Sequence, residues 1–193
     1  MSEQLPDRAR LVVIGAGIVG ASVAYHLTKL GIKDLVLLER STLASGTTGH
    51  GAGLVTQIRH SRSMTEISRK GVELYSRLEA ETGQDPGFKR TGSITVARTL
   101  GRLDELKHQT SMARSFGVEM HTISPREAGE MWPLMRTDDV VGAVHIPDDG
   151  QTVPDSTTMA MVMGARSRGA TVIENPRVTG ISRRSGAVSG VST

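Results

Sequence analysis

Three glycines near the start of the chain are spaced as they would be around a phosphate group. Gly15, Gly17 and Gly20 follow the apolar run Leu11-Val12-Val13-Ile14 and open a helix-like segment that continues through Leu30. In such a strand, turn and helix, the first glycine forms the turn, the second admits a pyrophosphate and the third lets the helix pack closely. The phosphates then face the partial positive charge of the helix N-terminus. The predicted contacts of a dinucleotide cofactor are Gly15, Gly17, Ile18, Val19 and Gly20.

A glutamate occupies the position at which such sites bind a ribose. The apolar run Leu35-Val36-Leu37-Leu38 ends at Glu39, and an acidic side chain about twenty residues after the glycines accepts hydrogen bonds from an adenosine ribose. Its charge disfavours a 2'-phosphate, although the adjacent Arg40 weakens that distinction. We predict Glu39 and Arg40 as cofactor contacts, and the alternative for Glu39 is a solvated strand end.

A second loop of small residues, Ser45–Leu54, begins shortly after Glu39. Glycines and short hydroxyl side chains let backbone N–H groups approach a pyrophosphate and a flat ring without steric conflict. A simple NAD-dependent enzyme has no need for this loop, and the loop therefore favours a different redox cofactor. The predicted contacts in it are Gly46, Thr47, Thr48, Gly49, His50, Gly51, Ala52, Gly53 and Leu54.

Together with the segments GAGIVG, LLER, GSI and DDG, this loop resembles the D-amino-acid-oxidase-like FAD-dependent oxidoreductases, and among them the sarcosine and dimethylglycine dehydrogenases. The resemblance runs along nearly the whole chain and implies FAD as cofactor. Those enzymes carry a GTTWHAAGL-like loop whose histidine is bonded covalently to the flavin, and His50 occupies that position. Gly49 stands where the family has tryptophan. The alternative is a loop histidine that contacts flavin or substrate without a bond.

The resemblance and the residue patterns imply an α/β fold. We expect a Rossmann-like, D-amino-acid-oxidase-type parallel sheet, interrupted by an α+β segment of a substrate domain and truncated at the C-terminus. The expected segments are residues 1–60 (FAD binding), 61–146 (part of the substrate domain) and 147–193 (return to the FAD-binding domain and start of a β-meander). A capping-box pattern at Ser63 and Ser124 predicts two helix starts. The resemblance implies that Val178 contacts the adenine end of FAD, and an ordinary strand valine is the alternative.

Other polar and aromatic residues admit more than one interpretation. Arg59 directly follows the loop and could pair with a substrate carboxylate, although a solvated loop residue is the alternative. Two adjacent aspartates, Asp148 and Asp149, are interpreted as turn-stabilising residues because no His or Glu has the spacing of a metal site. Trp132 is interpreted as a packing anchor.

Composition limits the class of protein. There are no cysteines, which excludes disulfides and thiolate chemistry. No apolar run approaches the roughly 18 residues of a membrane span, and the first ten residues lack the apolar core of a signal peptide. A cytoplasmic protein is therefore expected. A net charge of only +3 with 3% aromatic residues argues against nucleic-acid binding.

The resemblance implies oxidation of an N-methylated amino acid such as sarcosine or dimethylglycine, by hydride transfer from the N-methyl carbon to the flavin. The electron acceptor is left open, and tetrahydrofolate could act through a C-terminal portion that this chain lacks. A different kind of hypothesis is a truncated, catalytically silent fragment that retains flavin binding. Within the enzyme class, a D-amino-acid or glycerol-3-phosphate dehydrogenase is the alternative.

Overall fold

The computed structural model describes residues 5–193, and the first four residues of the expected segment 1–60 lie outside them. The strands are β1 (Leu11–Ile14), β2 (Leu35–Glu39), β3 (Leu54–Val55), β4 (Ser93–Ala97), β5 (His121–Ile123), β6 (Gly142–Ile146), β7 (Gly150–Gln151), β8 (Thr171–Glu174), β9 (Gly180–Arg184) and β10 (Ala187–Ser192). The helices are α1 (Ile18–Lys29), α2 (Arg62–Thr82), α3 (Leu100–Ser115), α4 (Pro125–Met131) and α5 (Pro154–Ser167), and a 3₁₀ turn spans Thr47–His50.

The chain forms two compact units. The first extends to Gly53 and continues with Arg77–Phe88 and Thr152–Thr193, and the second comprises Leu54–Ser76 and Lys89–Gln151. The limits near residues 53 and 151 differ from the expected ones at 60 and 146. Residues 77–88, assigned from sequence to the substrate segment, lie in the first unit because Glu81 at the end of α2 pairs with α1.

The first unit is built on a parallel sheet of order β1-β2-β8. Leu35 to Leu38 are at most 5% exposed, as expected for a central parallel strand covered on both sides. Helices α1 and α5 pack against each other and against the sheet, and Val36, Leu38 and Ile173 form a core with Val178 and Val191 from the segments around the β9–β10 hairpin. The expected α/β fold with a parallel sheet is confirmed.

The second unit contains an antiparallel sheet of order β4-β6-β5 and the short antiparallel pair β3–β7. Leu106 and Ala113 of α3 pack with Val144 and Ile146 of the central strand. Ala128 of α4 packs with the alternate strand residue Ala143, because successive strand side chains point to opposite faces.

Two sequence interpretations need correction, and a third is confirmed. Helix α2 starts at Arg62, and Met64 N–H donates to Ser61 Oγ at 3.3 Å, so Ser61 rather than Ser63 lies at its start. The capping box at Ser124 is present as predicted. Trp132 is 55% exposed and is not a packing anchor, because α4 covers the sheet through the small Ala128 instead.

Candidate functional site

The turn between β1 and α1 has the geometry that its glycines predict. Gly15 adopts φ 96°, a left-handed conformation that favours glycine. A Cβ on Gly20 would lie 1.8 Å from the Gly15 carbonyl oxygen, so no side chain fits there without moving the turn. Ala21 N–H donates to Gly17 C=O to begin the helical ladder. The N–H groups before it are outside that ladder and give the helix end its partial positive charge.

Two side chains hold this turn in place. Glu39 Oε2 accepts the Ala16 N–H at 2.8 Å and Oε1 accepts the Ser41 N–H at 3.0 Å. Thr48 Oγ1 accepts the Ile18 N–H at 3.0 Å, which joins the small-residue loop to the start of α1. Each carboxylate oxygen has a further lone pair, so Glu39 can brace the turn and still accept a hydroxyl from a ligand.

A cavity of about 790 Å³ opens beside this turn, at the carboxyl ends of the parallel strands. Ligands of open α/β sheets bind at this edge. The predicted contacts that line it are Gly15, Gly17, Glu39, Arg40, Gly46, Thr47, Thr48 and Val178. The lining residues that the sequence interpretation missed are Ile14, Leu38, Ser41, Ser45, Pro176 and Arg177.

The position of Arg177 could have been expected from topology. It follows β8, which is parallel to β1 and β2, so the segment after it emerges at the same sheet edge. Two guanidinium groups, Arg40 and Arg177, and the N-terminus of α1 thus face a cavity in which Glu39 is the carboxylate. This combination suits an anionic diphosphate attached to a ribose.

The other predicted cofactor contacts do not line this cavity. They comprise Ile18, Val19, Gly20, Gly49, His50, Gly51, Ala52, Gly53 and Leu54. Val19 is 75% exposed on α1, and Leu54 begins β3 in the second unit.

His50 is exposed at the end of the 3₁₀ turn. Its Nδ1 lies 3.0 Å from the Gly46 carbonyl oxygen, which can only accept a hydrogen bond. Nδ1 therefore carries the proton, and in the neutral ring Nε2 holds the available lone pair. The geometry therefore leaves Nε2 as the ring nitrogen with a free lone pair.

Arg59 lies in the second unit and is exposed. Its backbone N–H donates to the buried Thr65 Oγ1 at 3.0 Å, which fixes the main chain. Its Nη1 donates to Thr56 Oγ1 at 2.5 Å and to the Ile58 carbonyl oxygen at 3.2 Å. A guanidinium has five N–H donors, so donors remain for an anion.

Asp149 joins separate segments of the second unit rather than only its own turn. It is 1% exposed, and its carboxylate accepts the Gln57 N–H at 2.8 Å and the Ser93 hydroxyl at 2.6 Å. Burial raises the pKa of Asp149 above its ordinary value, and these hydrogen bonds oppose that effect. The neighbouring Asp148 pairs with Arg90 at 3.2 Å.

Within residues 5–193, no group of three or more His, Cys, Asp or Glu side chains is placed to hold a metal ion. The same part of the chain contains no helix long and apolar enough to cross a membrane.

Comparison with known proteins agrees with this geometry. The chain is 43% identical to 4-methylaminobutanoate oxidase (formaldehyde-forming) of Paenarthrobacter nicotinovorans over 99% of its length. It is 44% identical to human mitochondrial sarcosine dehydrogenase over 93% of its length. It spans only 23% and 20% of those two proteins. The crystal structure of L-proline dehydrogenase from P. horikoshii superposes with a TM-score of 0.91 at 29% identity, covering 97% of this chain and 49% of that one.

The family model described as FAD dependent oxidoreductase matches residues 10–193, which include the glycine turn, the small-residue loop and both units. The chain therefore belongs to the D-amino-acid-oxidase (DAO) family of FAD-dependent oxidoreductases.

Proposed function

We propose that this chain is the N-terminal, FAD-binding part of an oxidoreductase that oxidises the N-methyl group of an amino acid such as sarcosine or dimethylglycine. The observation that carries the proposal is the cavity at the sheet edge, where the glycine turn, Glu39 and the small-residue loop meet. The relatives named for N-methylated substrates support the substrate class.

The residues at the cavity suit the parts of FAD. The N-terminus of α1, with Gly15 and Gly17, would hold the pyrophosphate, and Arg40 and Arg177 would balance its charge. Glu39 would accept a ribose hydroxyl, and Val178 would contact the adenine end. Bound FAD supplies the acceptor for the hydride that leaves the substrate.

The next two roles belong to His50 and Arg59. His50 would attach to the flavin through Nε2, since Nδ1 is engaged by Gly46. Arg59 would bind the substrate carboxylate with its remaining donors. The electron acceptor and any transfer of the one-carbon product to tetrahydrofolate would depend on a further portion of the polypeptide, and a cytoplasmic location stays a prediction.

Intact mass of the denatured protein tests the attachment. After expression with FAD, we expect the 193-residue chain to gain the mass of one FAD and the His50→Ala variant to gain none. His60→Ala is the matched control, because His60 is also an exposed histidine close in sequence. An unmodified parent chain that binds FAD reversibly would contradict covalent attachment but not FAD binding.

Turnover with a dye as electron acceptor tests the reaction class. We expect sarcosine or dimethylglycine to reduce the dye and release formaldehyde. Arg59→Lys should raise KM for the carboxylated amine by about tenfold, because lysine cannot reproduce a bidentate pair. Flavin-loaded protein that oxidises D-amino acids or glycerol 3-phosphate and not these amines would refute the substrate assignment.

A further inference from the structure

The second unit has a cavity of its own, of about 680 Å³, which the proposed function does not use. It opens where α4 ends beside the β4–β6 sheet. Its lining residues are Thr91, Gly92, Ser93, Ile94, Met131, Trp132, His145 and Gln151. A cavity of this size is within the range of small-molecule sites.

One part of the wall is apolar and exposed. Trp132 and Met131 are 55% and 51% exposed, although tryptophan and methionine are ordinarily covered. Ile94 stands directly opposite His145 across the β4–β6 ladder, so both side chains share one sheet face. The cavity therefore combines an indole, a thioether and an aliphatic side chain with an imidazole.

The polar groups of the cavity differ in what they can still donate. The Ser93 hydroxyl donates to Asp149, and the Thr91 hydroxyl donates to the Gly92 carbonyl oxygen at 3.3 Å. The His145 ring and the Gln151 amide have no hydrogen bond to another side chain or backbone group within residues 5–193. These two side chains, together with the indole N–H of Trp132, can therefore still donate to a ligand.

The His145 ring lies close to the backbone of Gly92. A Cβ on Gly92 would lie 2.7 Å from His145 Nε2, so the imidazole occupies the space that a side chain would take. The ring therefore lies beside the backbone at one side of the cavity.

Among residues 5–193, no lysine, arginine, aspartate or glutamate lines the cavity. A zwitterionic amino acid would find no opposite charge for its carboxylate or its ammonium group, and unpaired charges bind poorly in such surroundings. The site thus differs in chemistry from the carboxylate-binding role given to Arg59. A flat, uncharged ring can stack on the indole and present acceptor oxygens to the imidazole of His145 and the amide of Gln151.

We propose that this cavity binds an uncharged planar ring that carries carbonyl oxygens, the chemical class of a quinone. Trp132 and Met131 contact the ring faces, and His145 and Gln151 donate hydrogen bonds to its carbonyl oxygens. The proposal concerns the second unit alone and does not depend on the proposed amine oxidation.

The single tryptophan of the chain permits a direct test. The chain is labelled with 5-fluorotryptophan, so that ¹⁹F NMR gives one resonance from Trp132, and is titrated with tetramethyl-1,4-benzoquinone. We expect a saturable shift of that resonance. Gln151→Leu and His145→Phe should each weaken binding by about tenfold, the worth of one hydrogen bond.

His121→Phe is the matched control. His121 also stands opposite His145 across the sheet, but it is paired with Glu119 at 2.8 Å and does not line the cavity. It should leave binding unchanged. Three results would overturn the proposal. One is the absence of a saturable shift, the second is equal binding by both cavity variants and the parent, and the third is a saturable shift with sarcosine instead. Gln151→Leu changes an exposed side chain on a short strand, so it keeps the test decisive if His145→Phe does not fold.

Discussion

Glu81, in the last turn of α2, pairs with Lys29 of α1 and lies near Arg168, which directly follows α5. Neutralising Glu81 should therefore make the stability of the first unit depend on pH. Its carboxylate accepts the hydroxyl of the buried Tyr25 and the Lys29 Nζ at 2.7 Å. Arg77 Nε lies at 2.8 Å and Arg168 Nη2 at 3.9 Å. The hydrogen bonds from Lys29 and then Tyr25 lower the pKa of Glu81 from 4.5 to about 2.

The size of the effect follows from that pKa. A fall from 4.5 to about 2 corresponds to at most about 3.4 kcal/mol of folding free energy at neutral pH. The partners Lys29 and Arg77 are 41% and 55% exposed, so solvent screening reduces the expected contribution to about 1–2 kcal/mol. We expect Glu81→Gln to destabilise the first unit by that amount at pH 7.

The pH dependence has a definite sign. The pKa of Glu81 is lower in the folded than in the unfolded chain, so its stabilisation is fully present above about pH 4.5 and is lost as the pH falls towards 2. The difference between the parent and Glu81→Gln should therefore shrink across that interval.

Urea denaturation followed by circular dichroism gives the overall stability, and hydrogen exchange of peptides from α1 and α5 locates the change. Hydrogen exchange matters because a chain of two units need not unfold in one step. Glu79→Gln is the control, since Glu79 lies on the same helix and is exposed. Equal stability of the two variants at pH 7, or a Glu81→Gln effect that persists unchanged to pH 2.5, would refute this reasoning.

Three further predictions concern single residues. Gly20→Ala should weaken FAD binding by at least about tenfold, because the new Cβ would displace the Gly15 carbonyl oxygen. Gly101→Ala, whose Cβ would meet no heavy atom within 4 Å, should leave FAD binding unchanged. A flavin fluorescence titration measures the affinity of both variants. Glu39→Ala should weaken FAD binding by about 1–3 kcal/mol, and Glu39→Gln should weaken it less, because glutamine keeps one acceptor oxygen for the Ala16 N–H. If Glu39→Ala and Glu39→Gln bound FAD equally well, Glu39 would not brace the turn. Asp149→Ala should destabilise the second unit by about 1–3 kcal/mol in thermal unfolding, and Asp149→Asn by less. Burial raises the pKa of Asp149 above its ordinary value of 3.8, so the folded chain loses stability as the pH rises above 3.8 and the carboxyl ionises. The stability of Asp149→Asn relative to the parent should therefore increase with rising pH.

The sequence by itself determined the cofactor turn. Gly15 adopts a left-handed backbone conformation and a Cβ on Gly20 would meet the Gly15 carbonyl oxygen, so both requirements arise within the turn itself. The apolar runs before and after the turn predict the strand, the helix and the second strand that the structure contains. The Ser124 capping box is local in the same way, since its two hydrogen bonds span three residues. Such features can be predicted from sequence because the interacting residues lie within a few positions of one another.

Long-range contacts decided what the patterns could not. Arg177 lines the cavity beside the glycine turn because β8 pairs in parallel with β2, more than a hundred residues earlier in the chain. The last turn of α2 joins the first unit through Glu81, although its helical pattern is continuous with residues of the second. The buried Asp149 carboxylate accepts hydrogen bonds from Gln57 and Ser93, because sheet pairing brings three distant segments together. Helical and strand periodicity specify which face of an element is apolar, but not which partner covers it, and tertiary packing alone supplies that choice.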